Sequence, residues 1–311
     1  MSSTSPKRGA SSPRKLGSKS PVPVRVAQGG AAGAPSQLQA GPSAPEPVLP
    51  TFPTYTWRNF APNAQLLYLR DAEDADRALA LLDAPVVGLD LEWRPNFKPG
   101  LPENPVALVQ LASEDKILLI QVSAMQGFPA GLTLFLESSR TIKVGVGIQY
   151  DCKKLFRDYG VDVRQCVDLS LLARSVDDQW KGKYTNPIAL ARLSEIYLGS
   201  SLPKGKVQRS NWESSLTALQ QEYAANDGQA GLIIYKTLIA RANAMARVPE
   251  REYYSFDIIR GDLRDPNLRP WFAFNPFYDP GPPPPPRAQE TPDGPRLVKS
   301  RPKVKAGAAR A

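Results

Sequence analysis

Residues 86–92 read VVGLDLE, a short run rich in Val and Leu that is typical of a buried β-strand. Side chains two residues apart in a strand point to the same face, so Asp90 and Glu92 should lie side by side. Leu89 and Leu91 should point the other way, into the core. Neighbouring carboxylates raise each other's pKa, and a cation between them removes that repulsion. Alone, the acidic pair fits either a metal site or a strand edge that faces water.

Apolar runs on the C-terminal side of this strand complete a predicted sheet. Further strands are predicted at 106–112, 117–122, 143–147 and 166–168. Helices are predicted at 132–136, 151–158, 169–176, 188–198 and about 217–247. The first strands are expected to form hairpins or a meander, and strand–helix alternation follows them. This order predicts an α/β fold in which helices cover a mixed β-sheet.

Two more acidic residues and a tyrosine follow at informative places. Asp151 begins a predicted helix, where an acid also suits the helix dipole. Tyr223 and Asp227 are four residues apart in a helix and therefore share a face. Such pairs are common on solvated faces, but the apolar run 232–235 in the same helix predicts burial, which makes an unpaired acid costly. Each signal is weak alone. The three together, carried in this order on a strand, at the start of a helix and within a helix, are far more specific.

The chain contains no histidine. Four carboxylates without an imidazole suit hard cations such as Mg²⁺ or Mn²⁺ rather than zinc. Two such ions side by side are a common device for hydrolysing phosphodiesters. Without histidine, another group has to orient the attacking water, and Tyr223 is placed for that role. The pattern therefore predicts a nuclease.

The stretches that carry these residues resemble the 3′–5′ exonuclease domain of the DEDD superfamily, in its tyrosine-containing branch and of the Werner syndrome type. The resemblance covers about residues 50–246 through VVGLDLEWRP, VALVQLA, VSAMQGFPAGL, KVGVGIQYDCKKLFRDYGV and SNWESSLTALQQEYAANDGQAGLIIYKTL. It implies a ribonuclease H-like mixed β-sheet flanked by α-helices. It also implies a metal-dependent 3′–5′ exonuclease that uses two Mg²⁺ or Mn²⁺ ions. The other branch of the superfamily uses histidine where this chain has Tyr223.

The resemblance further implies a role for each site residue. Asp90 would bridge both ions, and Glu92 and Asp227 would complete the site of the ion that holds the attacking water. Asp151 would hold the second ion, largely through water. Tyr223 would orient the attacking water. Because a phenol with a pKa of about 10 is a poor base, Tyr223 is expected to position the water rather than deprotonate it.

Substrate contacts are predicted beside these motifs. Leu91 and Trp93 could wedge against or stack on the terminal base. Lys204, Lys206 and Arg209 precede the last helix and could contact phosphates, the alternative being a solvated loop. DNA is the expected substrate in preference to RNA, with a helicase or repair protein as a possible partner. A non-catalytic nucleic-acid-binding scaffold is the alternative, although all four acids and the tyrosine are present.

Composition divides the chain into four parts: a basic Ser/Pro-rich tail over 1–48, the exonuclease domain over 50–247, an aromatic-rich extension over 248–280 and a Pro-rich basic tail over 281–311. Residues 1–50 and 285–311 hold 13 of the 39 Lys and Arg residues and 3 of the 30 Asp and Glu residues. Such tails are expected to be disordered. Basic arms fit a nucleic-acid partner, and solvated linkers or nuclear-import signals fit the same charge.

The aromatic-rich extension and Trp212 are expected to pack against the domain, a base-stacking role being the alternative for both. The proline run 282–286 fits a stiff spacer or a ligand for an aromatic groove. Two cysteines are too few for a disulfide framework, which favours a reducing compartment. No secretory signal or membrane-spanning run is recognisable. The basic clusters favour nuclear import, and a mitochondrial transit peptide is the alternative.

Overall fold

A mixed β-sheet forms the centre of the fold. The computed structural model describes residues 51–203 and 205–283, so the predicted tail over 1–48, the proline run from 284 onward and Lys204 lie outside the described residues. The strands are β1 Gln65–Leu69, β2 Val86–Glu92, β3 Leu108–Ala112, β4 Lys116–Ile120, β5 Ile142–Gly145, β6 Cys166–Asp168, β7 Ser255–Ile259 and β8 Asp262–Arg264. The α-helices are α1 Trp57–Phe60, α2 Ala72–Ala80, α3 Ala130–Glu137, α4 Ile148–Tyr159, α5 Leu169–Val176, α6 Leu190–Leu198 and α7 Ala218–Ala244.

The strands lie in the order β1-β4-β3-β2-β5-β6-β7-β8. The predicted meander is confirmed, because β3 pairs antiparallel with both β2 and β4. The strand–helix alternation that follows places β5 parallel to β2 and β6 parallel to β5. Strand β1, which pairs parallel with β4, and helix α2 were not predicted. The predicted mixed sheet with helical cover is confirmed.

The aromatic-rich segment after α7 extends this sheet. Strand β7 pairs antiparallel with β6, with Phe256 opposite Cys166, and β8 pairs with β7. Neither strand was predicted. Tyr254, Phe256 and Trp271 are buried, as the packing interpretation expects, whereas Phe272 remains exposed. Among the described residues, no helix has both the length and the apolar character needed to cross a membrane.

Helix α7 lies directly on the face of the central strands. It begins at a capping box, in which the Thr217 side chain accepts from the Gln220 backbone and the Gln220 side chain accepts from the Thr217 backbone. It comes very close to β2 at Gly88 and Gly228, where a Cβ added to Gly88 would lie 1.9 Å from the Gly228 carbonyl oxygen. Only glycine permits this backbone-to-backbone contact. The contact lies two residues before Asp90 on β2 and one residue after Asp227 on α7.

Replacing Gly88 by Ala is expected to push α7 away from β2, because the clashing atom is backbone and cannot rotate away. We expect a loss of about 1–3 kcal/mol in the free energy of unfolding, measured by chemical denaturation. Gly205→Ala is the matched control, since its added Cβ would meet nothing closer than 4.0 Å. Equal stability of the two variants would contradict the close packing described here.

Candidate active site

Three carboxylates from two elements meet above the central strand. Asp90 and Glu92 share one face of β2, as predicted, and Asp227 reaches them from α7. One oxygen from each of the three lies within 4.8 Å of the others. Leu89 and Leu91 alternate with these acids along the strand and are buried in the core. Strand alternation and the packing of α7 on β2 therefore produce one compact cluster of oxygen ligands.

Asp151 and Tyr223 face the same cavity, whose volume is about 520 Å³ and which Asp90, Glu92 and Asp227 also line. Helix α4 begins at Ile148 and not at Asp151, so the predicted helix start was three residues late. Gly147 provides the N-cap in a left-handed conformation with φ 66°, which brings Asp151 into the first turn of the helix. Its carboxylate is not part of the cluster of three, although it lines the same cavity.

Tyr223 lies one turn before Asp227 on α7, and its hydroxyl group is hydrogen-bonded to that carboxylate. The Tyr223 ring packs against Trp212, with ring centroids 6.1 Å apart. Trp212 is fully buried, so its predicted packing role is confirmed. Trp212 therefore fixes the ring from one side while the hydroxyl group points to the acidic cluster.

Burial and neighbouring negative charge raise the pKa values of three acids of the site, Asp90, Glu92 and Asp151. Burial, then the charge of Asp227, raises the pKa of Asp90 well above its ordinary value. Burial, then the charge of Asp90, raises the pKa of Glu92 to about 10. Burial, then the charge of Asp168, raises the pKa of Asp151 to about 7. Buried acids this close together are stable only as protonated groups or around a cation.

The pKa of Tyr223 is also raised, first by burial and then by the charge of Asp227. The phenol therefore keeps its proton at neutral pH and acts as a hydrogen-bond donor. All ligand atoms that the cluster offers are oxygens, the donor type that Mg²⁺ and Mn²⁺ prefer. The residues present thus fit a hard divalent cation.

The predicted substrate contacts divide into two groups. Trp93, Leu91 and Arg209 line the cavity. Trp93 is half-buried and lies under the ammonium group of Lys154, 4.7 Å from the ring centroid. Lys206 is exposed and is not among the lining residues, so the structure does not bring it to the acids. The Leu91 side chain is largely buried, which limits its contact with a base. Its role as a wedge stays a prediction.

A short segment before β1 supports the site and was missed by the sequence analysis. The backbone N–H of Trp57 donates to Asn226 Oδ1 at 2.8 Å, next to Asp227. The backbone N–H of Tyr55 donates to the Ser201 carbonyl oxygen at 2.8 Å, just before the loop that carries Arg209. The available signal was the pair of aromatic residues in an otherwise Pro- and Thr-rich stretch. This segment ties α7 to the loop at the mouth of the cavity.

Comparison with known proteins identifies the family. Residues 68–241 match the family described as 3′–5′ exonuclease. The bifunctional 3′–5′ exonuclease/ATP-dependent helicase WRN of Mus musculus is 40% identical over 181 residues, which cover 56% of this chain and 12% of that protein. A 3′–5′ exonuclease of Arabidopsis thaliana is 34% identical over 190 residues, covering 56% of this chain and 63% of that protein. The chain therefore spans less than two thirds of the length of either relative.

Solved structures agree on the fold. The EXO domain of Aedes aegypti Nibbler matches with a TM-score of 0.50 and 25% identity, covering 58% of this chain and 90% of that one. The Trypanosoma brucei RNase D complex with RNA U12 matches with a TM-score of 0.52 and 18% identity, covering 64% and 70%. The chain belongs to the 3′–5′ exonuclease family and has its ribonuclease H-like fold, so the predicted family is confirmed. The assignment to the tyrosine branch stays a prediction.

The raised pKa values predict how stability depends on pH in the absence of metal. Burial raises the pKa of Glu92 from 4.5 to about 10 and that of Asp151 from 3.8 to about 7, so folding favours the protonated forms. Their contribution to stability is complete below about pH 4 and is lost as the pH rises through about 7 and 10. In chelator, the melting temperature of Glu92→Gln should therefore exceed that of the wild type by a margin that grows as the pH rises.

Millimolar Mg²⁺ or Mn²⁺ should reverse this trend, raising the melting temperature of the wild type more at about pH 8 than at about pH 5. Glu73→Gln is the control, because the Glu73 side chain is 87% exposed and distant in the chain from the site. Thermal unfolding followed by circular dichroism measures both effects. A melting temperature of Glu92→Gln that tracks the wild type at every pH would contradict the electrostatic description of the site.

Proposed function

We propose that this family member removes nucleotides one at a time from the 3′ ends of nucleic acid, with DNA preferred over RNA. The observation that carries the proposal is the cluster of Asp90, Glu92 and Asp227, whose oxygens lie within 4.8 Å of one another. Asp151 and Tyr223 line the same cavity, which supports the proposed tyrosine-branch site. The identity to an exonuclease–helicase protein favours DNA, whereas the RNase D structure with RNA keeps RNA as the alternative.

Two divalent cations would be held by the four carboxylates. In this proposal Asp90 would contact both ions, Glu92 and Asp227 would hold one of them, and Asp151 would hold the other. When bound, such ions lower the pKa of water and stabilise charge on the leaving 3′ oxygen. Without a cation, closely spaced buried acids favour their protonated forms. A bound divalent cation stabilises their ionised forms instead.

Tyr223 is proposed to orient the attacking water. Its hydroxyl group is fixed by the hydrogen bond to Asp227 and by the packing of its ring on Trp212. Because its pKa is raised, the phenol keeps its proton, which it donates to Asp227, and its oxygen orients the water without taking up a proton from it. Positioning of this kind lowers the barrier by fixing the direction of attack on the phosphorus.

The substrate strand is proposed to enter beside the loop after α6. Arg209 lines the cavity and can pair with a phosphate, while the half-buried Trp93 offers a surface on which a terminal base can stack. Lys206 is exposed on the same loop and fits a phosphate farther along the strand. The basic tails would add salt-dependent affinity for the backbone. A helicase or repair protein remains the proposed source of single-stranded ends.

The direct test is a 3′-recessed DNA duplex labelled at its 5′ end and incubated with Mg²⁺ or Mn²⁺. We expect a ladder that shortens from the 3′ end, is absent in chelator and is slowed at least about 10³-fold by Asp90→Asn. Matched DNA, RNA and hybrid substrates rank the preference for the sugar. Uncut substrate that is nevertheless tightly bound would instead support a scaffold.

Tyr223→Phe removes the hydroxyl group and keeps the ring that packs on Trp212. We expect kcat to fall by about 10²-fold with KM nearly unchanged, because the missing contact is made to the attacking water and not to the bound strand. The pH dependence of kcat should keep its shape, since the phenol does not act as the base. A titration step in the wild type that disappears in Tyr223→Phe would show that the phenol acts as the base instead.

A further inference from the structure

A second cavity of about 280 Å³ lies beside the active-site cavity and plays no part in the chemistry described above. Its walls come from the N-terminal turns of α4 and α5, the loop before α6 and the segment that follows β8. The stretches 145–151 and 186–191 contribute to both cavities. The second cavity is therefore a direct neighbour of the place where the 3′ end of a substrate strand would be held.

Two large aromatic side chains that line this cavity are exposed to solvent. Tyr150 is 74% exposed and Phe272 is 78% exposed. They come from different walls, since Tyr150 lies on α4 and Phe272 on the segment after β8. An aromatic ring exposed to water is stabilised when a flat apolar group covers its face. The two rings therefore favour a planar ligand.

Both rings are carried by well-packed parts of the fold. The Tyr150 ring lies against Gly147, a wall residue, because a Cβ placed on Gly147 would be 3.8 Å from the ring atom Cδ2. Phe272 follows Trp271, which is buried, packs on Phe256 with ring centroids 4.8 Å apart and donates its Nε1–H to a backbone carbonyl oxygen at 2.7 Å. A ligand that stacks on these rings would therefore have little backbone to order.

Two lysines flank the cavity, and neither has an ion-pair partner among the described residues. Lys153 lies three residues after Tyr150 on α4, so the two exposed side chains share a face of the helix. Lys183 is exposed in a turn whose other end is Asn186, a wall residue that donates its backbone N–H to the Lys183 carbonyl oxygen at 2.9 Å. Exposed rings combined with cations are typical of surfaces that bind single-stranded nucleic acid.

We propose that the second cavity holds a base of the substrate strand on the 5′ side of the nucleotide being removed, and that the enzyme therefore acts on unpaired 3′ ends. Tyr150 and Phe272 stack on the base whatever its identity, and Lys153 and Lys183 pair with the flanking phosphates. A base inside a duplex is already stacked and paired, so only an unpaired strand supplies a base to these rings. The choice of the substrate strand as the ligand rests on the proposed function.

The proline run 282–286 is the alternative occupant, since such runs bind aromatic grooves. It begins near the cavity, because the Gly182 N–H donates to the Pro280 carbonyl oxygen at 2.7 Å, and a Cβ on Gly182 would lie 3.4 Å from Asn186 Nδ2. Residues 285–311 hold seven Lys and Arg residues against two acids. Like charge beside the two flanking lysines disfavours this segment, whereas phosphates complement them.

The first experiment measures binding as the strand is lengthened. Asp90→Asn is titrated with oligothymidylates of about 2 to 12 nucleotides that carry a fluorophore at the 5′ end, and anisotropy gives the affinity. The affinity should rise in a step at the length at which the strand first reaches the second cavity. Tyr150→Ala and Phe272→Ala on this background should each weaken the long oligomers about 5–50-fold and leave the shortest ones unchanged.

Phe274→Ala is the matched control, since Phe274 is 66% exposed in the same segment and does not line the cavity. It should bind every length as the parent does. All these chains should share one melting temperature, because the replaced rings are exposed. Equal losses at every length, or no loss in either pocket variant, would overturn the proposal.

The two lysines are tested through the salt dependence of binding. Replacing Lys153 and Lys183 together by Ala should reduce the slope of log affinity against log salt by about 1.4 for the long oligomers, since each phosphate contact on a single strand contributes about 0.7. The shortest oligomers should keep their slope. An unchanged slope for the long oligomers would remove the lysines from the proposed path of the strand.

The second experiment locates the base. One nucleotide at a time, counted from the 3′ end of a long oligomer, is made abasic. One interior position should lose about as much affinity as Phe272→Ala does, and the two losses should not add when combined, because both remove the same stacking contact. Exchanging the thymine there for another base should change the affinity by less than about 3-fold. Absence of any sensitive interior position would contradict the proposal.

Two further arms separate the alternatives. A complementary strand that pairs with the sensitive nucleotide should abolish the effect of Phe272→Ala, and a duplex that keeps this effect would refute the preference for unpaired ends. A peptide of residues 280–288 that binds and is weakened by Phe272→Ala, with strand binding unaffected, would overturn the proposal in favour of the proline run. Length-dependent binding without any cleavage would refute the exonuclease activity alone, so the two proposals fail separately.

Discussion

The contact between Gly88 and Gly228 is the constraint on which the rest of the site depends. At 1.9 Å from a hypothetical Cβ on Gly88, the Gly228 carbonyl oxygen leaves no space for a side chain at position 88. Since Asp90 lies two residues after Gly88 and Asp227 lies one residue before Gly228, this approach determines the separation of the two carboxylates. A larger separation would leave two isolated acids in place of one cluster.

That proximity has an electrostatic cost. Asp90, Glu92 and Asp227 repel one another in surroundings that screen charge poorly, so the pKa values of Asp90 and Glu92 are raised. The fold keeps these mutually repelling carboxylates together because α7 is held in place by other contacts. Asn226 binds the segment before β1, and Trp212 supports Tyr223. Rigid placement of groups that repel one another until a cation arrives is the form of preorganisation expected of a catalytic metal site.

Local patterns predicted much of this arrangement. Strand periodicity placed Asp90 and Glu92 on one face, and helix periodicity placed Tyr223 and Asp227 on one face, as the structure shows. The meeting of the two pairs could not be read from either pattern, because it depends on a long-range glycine contact. The start of α4 was misplaced because Gly147, and not an acid, caps the helix. Strands β7 and β8 were missed because the aromatic residues around them suggested a surface extension.

The central claim is that the three clustered carboxylates bind divalent cations. Crystals soaked in Mn²⁺ and measured for anomalous scattering test it most directly. The account predicts a peak about 2.0–2.2 Å from oxygens of Asp90, Glu92 and Asp227, with a second peak on the side of Asp151 when a nucleotide is bound. Ordered carboxylates with no anomalous peak between them at saturating Mn²⁺ would contradict it.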